Sequence, residues 1–130
     1  LADGGLVLID YKTGAPPSAK QVESGLTPQL SLEAAMGEAG CFEGLDVADV
    51  SQLAYVRLSG GRTPGEEKPL KLDVPEIAKD ALAGLTDYIA TFDFPETPYR
   101  SRPRPLFESR YGDYDHLARV KEWSSGGEGE

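Results

Sequence analysis

Residues 6–14 read Leu-Val-Leu-Ile-Asp-Tyr-Lys-Thr-Gly, and no other segment constrains the fold of this chain as tightly. Four apolar residues run directly into an acid and a base two positions apart, and Thr13-Gly14-Ala15-Pro16-Pro17 breaks the run. Side chains alternate along an extended strand, so Leu6, Leu8, Asp10 and Lys12 share one face and Val7, Ile9 and Tyr11 the other. The pattern predicts a short strand at whose end Asp10 and Lys12 stand side by side.

The remaining punctuation organises the chain around that strand. Residues 18–26 read as loop or a short helical turn. Thr27-Pro28 is a helix start, a capping hydroxyl followed by a proline in the first turn, and the helix carries Leu30, Ala34, Ala35, Met36 and Ala39 to a stop at Gly40. A second strand is predicted over 51–58. After the turn at Gly60, Gly61, Pro64 and Gly65, a third strand around 68–72 pairs back as a hairpin. From about Pro75 a second helix follows, with Asp73 and Glu76 as its capping box. Its stripe of Ile77, Ala81, Leu82, Leu85, Tyr88, Ile89 and Phe92 is expected to bury against the sheet, and Pro95 and Pro98 stop it. The order strand, helix, strand, strand, helix is an α/β unit. Leu1-Ala-Asp-Gly-Gly5 reads as a hairpin turn already under way, so a further strand is expected upstream and the unit is expected to be incomplete at its N-terminus. Residues 99–123 mix arginines, prolines and aromatics, with a short helix expected at 114–123, and 124–130 reads as a disordered tail.

The 130 residues, 39% of them apolar, suffice for one ordinary core. Thirteen basic against 22 acidic residues leave a net charge of −9, which argues against a surface that coats DNA generically. Arg100, Arg102, Arg104 and Arg110 oppose that trend, with only Glu108 among them. The first three are candidates to follow a phosphate backbone; solvated linker charges or contacts to a partner subunit are equal alternatives. The single Cys41 excludes an internal disulfide and a thiolate cluster for zinc or iron–sulfur, fits a reducing compartment, and reads as a small buried hydrophobe. No apolar run approaches the roughly 20 residues that cross a bilayer, and no signal peptide is evident. A cytoplasmic location and no membrane partner are the expectations.

Asp10 supplies a carboxylate able to hold a divalent cation, and Lys12 an ammonium able to orient or activate water. That pairing suits phosphodiester hydrolysis, although spacing alone allows an ordinary surface ion pair equally well. Gln29 falls in the first turn of the first helix, where anions are welcome, and can hold a phosphate or a metal-bound water; alone it reads as a surface glutamine. His116, the one histidine, reads as structural or surface despite Asp113 and Asp115 beside it. Trp123 reads as packing the last helix, with base stacking the lesser alternative.

The string Ile9-Asp10-Tyr11-Lys12-Thr13-Gly14 resembles the central motif of the PD-(D/E)XK nuclease superfamily, specifically the RecB-like nuclease domain. There an acid–Tyr–Lys–Thr–Gly run follows an apolar strand. A second motif of that family, Gln-x-x-x-Tyr, opens the next helix; here it is matched by Gln29-Leu-Ser-Leu-Glu33, with Glu33 at the tyrosine position. Ala19–Glu23, Pro28–Met36, Tyr55–Gly61 and Tyr111–Arg119 through Trp123 extend the resemblance to the C-terminal part of the AddB family, the B subunits of bacterial AddAB helicase–nucleases.

The resemblance implies a restriction-endonuclease-like core, a mixed central sheet flanked by helices, over residues 1–123. It further implies Mg²⁺ or Mn²⁺ held by Asp10 and the main-chain carbonyl of Tyr11, with Gln29 assisting. Lys12 would orient the attacking water, lower its pKa or stabilise charge on the phosphate. The expected partners are DNA and an AddA-type helicase–nuclease subunit, in exonucleolytic processing of double-strand breaks for recombinational repair. An upstream aspartate that the family uses on the preceding strand has no counterpart, Asp3 being too close. This segment alone is therefore expected to be weak or inactive. Many relatives carry an iron–sulfur cluster on flanking cysteines; with Cys41 alone none is expected, and residues 99–123 are expected to brace the C-terminus instead. The alternative is a non-catalytic nuclease-like domain that binds DNA or holds a partner subunit. A standalone restriction-type endonuclease ranks third, for want of a base-reading module.

Overall fold

The computed structural model describes residues 5–44, 49–61 and 64–99. Leu6–Lys12 forms β1, Ala19–Glu23 α1, Gln29–Glu38 α2, Val50–Leu58 β2, Gly65–Leu70 β3 and Val74–Phe92 α3. The three strands lie in the order β1-β2-β3, with β1 parallel to β2 and β3 antiparallel to it. A parallel pair needs a crossover, which the segment carrying α1 and α2 provides, whereas β2 and β3 are joined by a short turn. The chain is an α/β fold with a mixed central sheet flanked by helices, as the sequence predicts. No described helix is long and apolar enough to cross a membrane.

The core gathers Val22 of α1, Leu30 and Ala34 of α2, Val50, Leu53 and Tyr55 of β2, and Val74, Ile77 and Ala78 of α3. Leu6, Leu8 and Leu70 pack against it from the flanking strands. Register explains the choice: Leu8 pairs with Leu53, and Leu53 with Leu70, so one sheet face presents a leucine row to the helices. Helix α2 approaches that sheet closely through Gly37, where an added Cβ would come within 2.8 Å of Val50 Cγ2.

Several details refine the sequence expectation or depart from it. Residues 19–23 take the helical of the two forms expected for 18–26, because Ser18 and Gln21 make a reciprocal capping box. Thr27 does not cap α2; Pro28 occupies the cap position, and no side chain caps the helix there. Its C-terminus does end at Gly40, whose φ of 68° allows Cys41 N–H to reach the Met36 carbonyl and Gly40 N–H that of Gly37. Cys41, leaving the helix on the outside of this turn, is exposed rather than buried. The third strand starts three residues earlier than expected, at Gly65, because hairpin pairing runs back to Leu58.

Helix α3 starts as predicted, with Asp73 accepting from Glu76 N–H. Its apolar stripe does not bury as a whole. Only Val74, Ile77 and Ala78 enter the core, while Leu82, Leu85, Tyr88, Ile89 and Phe92 remain between 38% and 61% exposed. A helix of 19 residues rises about 28 Å, well beyond the width of three strands at about 4.8 Å each.

Contacts divide the chain into a unit of residues 1–91 and a second of 92–130. Within the second, the rings of Phe92 and Tyr99 stack at 4.9 Å. The arginine cluster, the 114–123 helix, His116, Trp123, the tail, Asp3 and most of the expected N-terminal turn lie outside the described residues.

Candidate functional site

Strand β1 delivers Asp10 and Lys12 to the same face, as alternation requires. Their register partners on β2 are Tyr55 and Arg57. Lys12 Nζ lies 2.7 Å from Asp10 Oδ2, with the lysine side chain 34% and the aspartate 14% exposed. Gln29, the first residue of α2, is brought to the same place from the other side of the crossover. Its Oε1 accepts from Lys12 Nζ at 3.4 Å, and its Nε2 donates to Glu33 Oε1, one helical turn on, at 3.1 Å. The result is one continuous polar path, Asp10–Lys12–Gln29–Glu33, built from β1 and α2.

Beneath it lies Tyr55. Its ring is 1% exposed, and the Lys12 ammonium sits 5.9 Å from the ring centre, within reach of the π face. Burial, with the Asp10 charge second, holds the Tyr55 phenol above its ordinary value. The Thr27 hydroxyl acts the other way on that phenol, yet it is buried without a hydrogen bond of ordinary geometry. Lys12 is pushed above the usual lysine range, chiefly by its bond to Asp10.

Asp10 Oδ2 is itself buried without a well-directed hydrogen bond, so its contact to Lys12 is a close charge pair. A buried carboxylate oxygen with open lone pairs is donor chemistry that a hard divalent cation takes. No group of three or more His, Cys, Asp or Glu side chains converges among the described residues, however.

Two further features escape a reading along the chain. Tyr55 looks like one more apolar residue of a strand until register sets it beside Asp10. Arg57, exposed and opposite Lys12, adds a second cation to the same strand end. For Glu33 a signal was present, the spacing of four from Gln29 on a helix. Arg100, Arg102 and Arg104 fall outside the described residues.

The family model of the PD-(D/E)XK nuclease superfamily matches residues 2–111. The chain belongs to this superfamily. This PD-(D/E)XK chain is also 29% identical over 128 residues to an uncharacterized protein of Rickettsia bellii (strain RML369-C), a match covering 86% of the chain and 14% of that protein. It thus spans about one-seventh of the length of the curated relative it matches. No solved structure matches it. Within the PD-(D/E)XK match fall every strand and helix of the described fold and the whole Asp10–Lys12–Gln29–Glu33 path.

Proposed function

We propose that this chain is a DNA-associated nuclease-fold module of a longer protein, holding a DNA phosphate or a partner subunit at the Lys12–Gln29 end of its sheet without completing a cleavage centre from its own described residues. The observation that carries this reading is the state of Asp10. Its charge is already matched by Lys12 at 2.7 Å, and no acidic or imidazole cluster converges on it among the described residues.

The chemistry of the site suits an anion. The Lys12 ammonium has three N–H donors; one faces Asp10 and one faces Gln29, which leaves one for a phosphate oxygen. Next to it, α2 begins without a side-chain cap, so the N–H groups of its first turn point toward the same region with no acceptor inside the helix. Arg57, the register partner of Lys12 on β2, is a further exposed cation at this end, with Glu66 opposite it on β3. In this reading Lys12 contributes an ammonium that orients the phosphate and stabilises its charge.

A second reading is favoured by one specific observation, the convergence of Asp10 and Lys12 of β1 with Gln29 of α2. In it the longer protein is an AddB-type, divalent-metal-dependent exonuclease of a cytoplasmic bacterial helicase–nuclease, working with an AddA-type partner on double-strand breaks. Asp10 and the Tyr11 carbonyl are the groups of this chain that would hold Mg²⁺ or Mn²⁺, and a further carboxylate would come from elsewhere in that protein. When bound, the metal would polarise the phosphoryl group and supply a hydroxide-like nucleophile.

The test measures binding and degradation of linear duplex DNA with Mg²⁺ or Mn²⁺, using this chain, the longer protein and Lys12→Ala in each. Binding by this chain that Lys12→Ala weakens, without cleavage, is the expected outcome. Metal-dependent cleavage by this chain alone would overturn the proposal. Cleavage by the longer protein that Lys12→Ala abolishes establishes the second reading.

A further inference from the structure

Glu33 has no part in phosphate binding as described above, yet it ends the polar path. It is half-buried on α2, and its Oε1 accepts from Gln29 Nε2 at 3.1 Å while the other end of that amide accepts from Lys12 at 3.4 Å. The two neighbours are chemical opposites: an ammonium only donates, and an ionised carboxylate only accepts. A glutamine amide held between them has one orientation that makes both bonds. The flipped amide sets Nε2 against the ammonium and Oε1 against the carboxylate, and makes neither.

We infer that Glu33 is a positioning residue that holds the Gln29 amide oxygen toward Lys12, and so decides where the Lys12 ammonium presents its remaining proton. This rests on the phosphate-binding reading of the Lys12–Gln29 end. The Glu33 carboxylate supplies an acceptor for the Nε2 end while Lys12 takes the oxygen end. It also adds a negative charge beside a surface that meets phosphate. Removing the charge and removing the acceptor therefore act on DNA affinity in opposite directions.

That opposition sets the experiment. Glu33→Gln and Glu33→Leu remove the same charge, but only glutamine keeps an acceptor in place. In the ¹⁵N-labelled full chain, the Gln29 side-chain amide signals of Glu33→Gln should retain the hydrogen-bonded shifts of the parent, and those of Glu33→Leu should move to free-amide values. On a linear duplex, Glu33→Leu should bind about fivefold more weakly than Glu33→Gln, the worth of one modest hydrogen bond. If the backbone amide spectrum shows Glu33→Leu disturbed, Glu33→Ala replaces it in the same comparison. Gln29 signals that are identical in the two variants overturn the inference. Amide signals that separate as expected in a chain that binds no DNA support the positioning role and overturn the proposed function instead.

Discussion

The Lys12 ammonium lies 5.9 Å from the centre of the buried Tyr55 ring, so the ion pair with Asp10 rests on an aromatic floor that belongs to the hydrophobic core. The site and the core thus share a residue. Perturbing Tyr55 should affect both stability and the behaviour of Lys12.

Both groups titrate on the alkaline side with the same sign. The folded-state pKa of Tyr55 is raised from 10.0 by burial, and that of Lys12 from 10.5 by Asp10. In each case the native state holds its proton more tightly than the unfolded chain. Their contribution is complete below the unfolded values and is lost as pH rises through the folded ones. Stability measured by urea unfolding should therefore decline above about pH 10. Tyr55→Phe should flatten that decline while keeping the ring, whereas Tyr55→Ala should cost about 3–5 kcal/mol at neutral pH.

Lys12→Met leaves Asp10, whose side chain is only 14% exposed, without its cation. With the lysine solvated, the loss in urea unfolding should be small. Adding Asp10→Asn should recover part of it. A double-mutant cycle reads the coupling directly, and strictly additive losses would show that the pair contributes nothing.

Gly37→Ala sets helix propensity against packing. Alanine favours a helix by about 0.8–1 kcal/mol over glycine. Here its Cβ would lie 2.8 Å from a methyl group of Val50, a stiff and fully buried side chain, so something must shift. Overpacking of about 1–3 kcal/mol should win. The expected result is a net loss of about 1 kcal/mol in denaturant unfolding, and a gain would show that α2 can move off the sheet.

Arg57→Gln tests whether the phosphate contact reaches from Lys12 to its register partner on β2. If Arg57 meets a phosphate beside Lys12, its loss should weaken duplex binding uniformly across sequences and reduce the slope of log affinity against log salt by about 1. An unchanged slope would confine the contact to Lys12 and the start of α2.

Much of the fold was legible because local chemistry and global need agree. Gly40 and Asp73 mark helix ends by hydrogen bonds made within a few residues, and the Leu6–Lys12 alternation holds whatever packs against it. Thr27 misled because a hydroxyl before a proline satisfies the same local rule, while the backbone put the cap one residue later. The α3 stripe misled more instructively. Periodicity reports that a face is apolar, and it carries no information on how far the covering sheet extends.

Sequence by itself determined the strand that ends in Asp10 and Lys12, the helix that opens with Gln29, the mixed α/β order and membership of a nuclease-like family. Those properties depend on side-chain alternation, caps and motif spacing, which act over a few residues. The tertiary structure alone decided that Tyr55 lies beside Asp10 and under Lys12, that Arg57 faces Lys12, and that Gln29 bridges Lys12 to Glu33. Each of those juxtapositions is set by the register of two strands joined through a long crossover, and by Gly37 letting α2 approach the sheet. Register is a cooperative outcome of packing the whole leucine row, which no local stretch of the chain encodes.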